Sequence, residues 1–90
     1  MNQNQNSQAS PHKTEKDLRW WGNKAWLMWE EQNPQLVARL EKQGTLFDSL
    51  AEAQDRAESL CRELKAKGLS KAQINELVVD EICLPPDEQA

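Results

Sequence analysis

Leu46-Phe47-Asp48-Ser49-Leu50-Ala51-Glu52-Ala53-Gln54-Asp55-Arg56-Ala57-Glu58-Ser59-Leu60-Cys61-Arg62-Glu63-Leu64 is the stretch that decides the fold. Within it, Leu46, Leu50, Ala53, Ala57, Leu60 and Leu64 are spaced 4, 3, 4, 3 and 4 residues apart. That spacing makes an a/d seam along one face of a long helix. Phe47, Gln54 and Cys61 flank the seam. Glu52–Arg56, Glu58–Arg62 and Glu63–Lys67 are i,i+4 pairs in the favourable order, each contributing roughly 0.2–0.5 kcal/mol. Thr45 stands at the start of this helix and Gly68 at its end. Small residues at Ala53 and Ala57 permit close approach by a neighbouring helix.

Working upstream, Gly44 is a natural residue to follow a helix C-terminus. The preceding helix runs from Pro34 to about Gln43 and buries Leu36, Val37 and Leu40. Asn33 reads as its N-cap and Pro34 as its first residue. Before that boundary, Leu18, Trp21, Ala25, Met28 and Trp29 recur at helical spacing. Thr14-Glu15-Lys16-Asp17 resembles a capping box, so this helix is expected to begin at Thr14. Gly22 weakens it and admits close approach by another backbone. Downstream, Ser70-Lys71-Ala72-Gln73 is a second capping box, with Leu69 and Ile74 placed as a hydrophobic staple. The helix it opens carries Ile74, Leu77, Val78 and Ile82 and stops before Pro85-Pro86.

No segment sustains strand alternation. The fold class is therefore all-α: a small three- to four-helix bundle, or a helical hairpin with a long third helix. Residues 1–13 form a disordered Asn/Gln-rich tail, 14–84 one helical domain, and 85–90 a polar end. Ninety residues allow one domain at most. No apolar run approaches the ~18–20 residues that span a bilayer. The Met1-Asn2-Gln3 start has neither the charge nor the apolar run of an export signal. A cytoplasmic protein is expected, with Cys61 and Cys83 as free thiols.

The net charge is −4. Residues 14–43 balance five basic against five acidic side chains, whereas 69–90 set Lys71 against Glu76, Asp80, Glu81, Asp87 and Glu88. The acidity thus belongs to the last helix and end, as a solvated face or a surface for a basic partner. Two cysteines and the lone His12 do not supply a metal site at usable spacing. No carboxylate pair sits in an apolar setting, no Gly-rich loop follows a strand, and His12 is far from either cysteine. Neither enzyme chemistry nor a cofactor is expected.

All four tryptophans fall within ten residues. Trp21 and Trp29 suit the core. Trp20 and Trp26 either lie half-buried at its edge, as amphipathic indoles commonly do, or, with Arg19 and Lys24 beside them, form an exposed surface for another protein chain, where Trp is a frequent hot spot. Packing of the Leu46–Leu64 seam is satisfied either within a bundle or against a second copy, and a homodimer is the favoured expectation. A DNA-binding alternative rests on residues 69–78. Their Gly turn and Ser cap resemble a helix-turn-helix that would aim Ser70, Lys71, Gln73 and Asn75 at the major groove. Leu64 stands where a small residue usually packs, and the supposed recognition helix is acidic; both oppose that reading.

Trp21-Gly22, Leu27, Glu30 or Glu31, Pro34, Leu36, Leu40, Gly44, Leu46, Leu50 and Ala51 follow an order and spacing similar to the TnpV-like small proteins of bacterial transposons. The resemblance covers about residues 21–64 and, through Glu76-Leu77-Val78, the end of the fourth helix. The chain is shorter than that pattern before its end, and Trp20, Trp26 and Trp29 are additional. The resemblance implies a mobile-element setting and no mechanism. It transfers no functional residues, because the family carries no defined activity.

Overall fold

A computed structural model describes residues 13–83. They form a short 3-10 turn, Glu15–Asp17, followed by α1 (Trp20–Gln32), α2 (Pro34–Gln43), α3 (Leu46–Ala66) and α4 (Lys71–Ile82). Among the described residues there is no strand, and the chain is a small all-α bundle. The Asn/Gln-rich segment 1–12, including His12, and the Pro85-Pro86 stop with its polar end lie outside the described residues.

α3 is the central element, flanked by α1 and α4, while α2 packs on α1 and α3. Leu46, Leu50, Ala53 and Ala57 are fully enclosed, and Leu64 is nearly so. They join Ala25, Met28 and Trp29 of α1 and Ile74, Val78 and Ile82 of α4 in one core. The seam is thus filled from within the chain; only Leu60 is partly open. Heptad spacing serves equally for packing inside a bundle and between copies. A second copy cannot reach these residues without opening the core.

The helix boundaries follow local chemistry. Asn33 accepts the Leu36 N–H at 3.3 Å and caps α2, with Pro34 at its first position. Gly44 and Gly68 both adopt left-handed backbone, φ 76° and 89°, just past α2 and α3. That conformation returns the Thr45 N–H to the Leu40 carbonyl and the Leu69 N–H to the Leu64 carbonyl, closing both helix ends. Thr45 begins α3 without capping it: its hydroxyl donates back to the Leu40 carbonyl at 3.4 Å. At Ser70 the capping box closes fully, with Gln73 N–H to Ser70 Oγ at 3.2 Å and Ser70 N–H to Gln73 Oε1 at 3.0 Å.

Two expectations need correction. The Thr14–Asp17 capping box forms, but it opens a 3-10 turn that ends at Leu18, and α1 begins only at Trp20. Gln54 causes the break. This buried residue of α3 accepts the Arg19 N–H at its Oε1 and donates from Nε2 to the Asp17 carbonyl at 3.2 Å. Those two backbone groups are thereby satisfied outside a continuous helix. It is this side chain, and not another backbone, that approaches Gly22. The second correction is Leu77, which is exposed on α4 while Ile74, Val78 and Ile82 face the core. Spacing of four residues holds those three on one row, and Leu77 falls beside it.

No helix of the described residues is long and apolar enough to cross a membrane.

Candidate functional site

The tryptophans of α1 divide into distinct environments. Trp29 is fully enclosed, and its Nε1–H donates to the Ile82 carbonyl at 2.9 Å, tying α1 to the end of α4. Trp26 is half-buried and meets Phe47 of α3 edge to face, ring centroids 5.2 Å apart. Its Nε1 is shielded from solvent without a hydrogen-bond partner. Trp21 is half-buried, and Trp20 keeps 63% of its surface in solvent. The Trp20 and Trp21 rings stand edge to face, centroids 4.7 Å apart and planes at 88°.

Trp20 and Trp21 of α1, Cys61 and Lys65 one helical turn apart on α3, and Leu69, Lys71, Ile74 and Asn75 at the start of α4 line a groove of about 800 Å³. The lining thus offers two indoles, the aliphatic side chains of Leu69 and Ile74 and two ammonium groups, with no carboxylate. On an acidic protein this is a local reversal of charge. Glu76 and Asp80 lie about 100–180° round α4 from the Lys71–Asn75 row, so the acidity of this helix sits largely on the side away from the groove.

The residues predicted for partner binding do not come together. Trp20 lines this groove, whereas Trp26 lines a separate shallow cleft with Asn23, Leu27 and Glu30. Six positions of helix set their side chains on different faces. Arg19 is engaged with α3: its Nε and Nη2 donate to the two Glu58 carboxylate oxygens, both at 2.8 Å, with Asp55 at 3.7 Å. The hydrogen bonds and the charge of Glu58 raise the Arg19 pKa. In return, the Arg19 hydrogen bonds hold the Glu58 carboxyl below its ordinary range, against the opposing effect of partial burial. Lys24 is half-buried.

Of the residues proposed to read DNA, Ser70 and Gln73 are engaged with each other in the capping box. Lys71 and Asn75 face the groove. The structure therefore joins Trp20 from one expected site with Lys71 and Asn75 from the other. Sequence reading places Cys61 and Lys65 in neither. Their i,i+4 spacing beside the seam was the available signal.

Among the described residues no group of three or more His, Cys, Asp or Glu side chains is placed to hold a metal ion. Both cysteines are free thiols. Comparison with family models, with curated proteins and with solved structures returns no match.

Proposed function

We propose that this protein is a non-enzymatic interaction or regulatory protein of a mobile genetic element, taking a segment of a protein partner or of a second copy in the Trp20–Trp21 groove. The observation that carries the binding role is Trp20, a largely exposed indole that shares a groove with Leu69, Ile74 and two lysines. An exposed Trp on a concave, partly apolar surface is a frequent anchor of a protein interface. Duplex DNA suits the site less well. It carries one charge per ~1.7 Å of axis, whereas the groove offers two ammonium groups on a chain of net charge −4. The mobile-element setting rests on the resemblance of residues 21–64 to the TnpV-like proteins.

A photo-crosslinking amino acid at position 20, irradiated in cells, tests the binding role. Crosslinks to a protein, identified by mass spectrometry and missing when the same group replaces exposed Ala38, are expected. Crosslinks to nucleic acid, or none above the Ala38 control, refute it. A transposase or mobilisation gene beside the coding sequence is expected for the genetic setting, and a toxin or nuclease operon would redirect it.

A further inference from the structure

Charge and shape together define what the groove accepts: an extended segment with apolar residues followed closely by carboxylates. The apolar part would meet Trp20, Trp21, Leu69 and Ile74, and the carboxylates Lys65 and Lys71, all of which line the groove. The chain contains such a segment, Leu84-Pro85-Pro86-Asp87-Glu88. Consecutive prolines favour polyproline II geometry, which aromatic-lined grooves bind at low entropic cost.

Reach decides whose segment it is. The groove lies at the N-terminal end of α4, and the segment follows its C-terminal end, where Ile82 is tied to Trp29. At 1.5 Å per residue, Lys71 and Cys83 are separated by about 18 Å along α4. Pro85 and Pro86 follow Cys83 by two and three residues, a span of at most ~11 Å. Within one chain the prolines therefore fall short of Trp20.

Resting on the protein-binding role assigned to this groove, we infer that it receives the Leu84–Glu88 segment of a second copy, two copies exchanging these segments reciprocally. Such an exchange buries Trp20 in both and leaves the Leu46–Leu64 core closed. It also pairs the most acidic part of the chain with its carboxylate-free groove.

Sedimentation of the full chain over a range of concentrations tests this, with circular dichroism verifying that each variant folds. Wild type is expected to dimerise. Asp87→Lys with Glu88→Lys, and separately Lys65→Glu with Lys71→Glu, are each expected to weaken the dimer roughly tenfold or more. All four changes in one chain reverse both sides of the contact and are expected to restore it. A synthetic peptide of residues 84–90 is expected to compete with dimerisation and, added to the Asp87→Lys, Glu88→Lys variant whose groove is then empty, to blue-shift Trp20 emission. A monomeric wild type, a dimer indifferent to Asp87→Lys with Glu88→Lys, or four changes no better than two would each overturn the exchange. If the position-20 crosslink still finds a different protein, the interaction role stands without it. If it finds nucleic acid or nothing, both fall.

Discussion

A Cβ placed on Gly22 would lie 2.5 Å from Oε1 of Gln54. The glycine is needed because a buried amide occupies the space beside α1, and that amide holds the chain where the helix begins. The same Oε1 accepts the Arg19 N–H, while Nε2 of Gln54 donates to the Asp17 carbonyl. One side chain from α3 thus sets both the start of α1 and the residue allowed at its third position.

Gly22→Ala is therefore expected to destabilise, although Ala is the better helix former by about 1 kcal/mol. The new methyl must displace Gln54 Oε1 and press on Leu18, whose Cδ2 would be 3.0 Å away. Losing the two amide hydrogen bonds outweighs the propensity gain, for a net cost of roughly 1–2 kcal/mol in urea unfolding. In the Gln54→Ala background the same substitution is expected to be neutral or stabilising. Additive losses in that double-mutant cycle would refute the coupling.

Trp29 and Trp20 should respond oppositely to substitution. Trp29→Phe removes the donor to the Ile82 carbonyl and leaves a void in the core, with an expected loss of roughly 2–4 kcal/mol. Trp20→Ala, at a mostly exposed position, is expected to change stability by no more than about 0.5 kcal/mol. In the Asp87→Lys, Glu88→Lys background, where the proposed exchange is weakened, acrylamide quenching should fall by the largest share on removing Trp20 and by almost nothing on removing Trp29. The reverse order would place the exposed indole elsewhere.

The Arg19–Glu58 pair links stability to pH. Its hydrogen bonds lower the folded-state pKa of Glu58, so its contribution is complete above the ordinary glutamate value of 4.5. It declines as pH falls through the depressed folded-state value. Glu58→Gln should therefore melt slightly below wild type at pH 7, with the gap closing toward pH 3. Both side chains retain solvent contact, and the effect should shrink further in high salt. A gap that widens on acidification would contradict this assignment.

Ser70→Ala removes the acceptor for the Gln73 N–H and one half of a reciprocal cap. The expected cost is about 1 kcal/mol, a Tm decrease of roughly 4–8 °C for a domain of this size. Amide exchange should accelerate first at Gln73 and Ile74. Unchanged protection there would show that the staple alone holds the start of α4.

Readings based on neighbouring residues agree with the structure where neighbours decide the outcome. Asn33-Pro34, Gly44, Gly68 and the Ser70–Gln73 box locate helix ends because cap and partner lie within a few positions. The seam identified α3 and its buried face because heptad spacing is retained whatever covers it. Local pattern failed at Leu18–Arg19, where the Thr14–Asp17 box is compatible with a 3-10 turn or an α-helix. Gln54, 35 residues away from Arg19, selected between them. The site was divided for a similar reason. Trp20 and Lys71 lie on separate helices, and only the antiparallel return of α4 places them on one groove.

The Trp29–Ile82 hydrogen bond joins residues 53 positions apart, from the first helix to the end of the last. Its consequence concerns synthesis. At translation rates of about 5–20 residues per second, α1 leaves the ribosome seconds before its final partner exists. During that interval the indole that will be most enclosed has no lid, and α1 to α3 present an open apolar trough. Emergence of Ile82 both completes the fold and hides its stickiest surface, so premature truncation within α4 should yield a chain prone to aggregation and proteolysis.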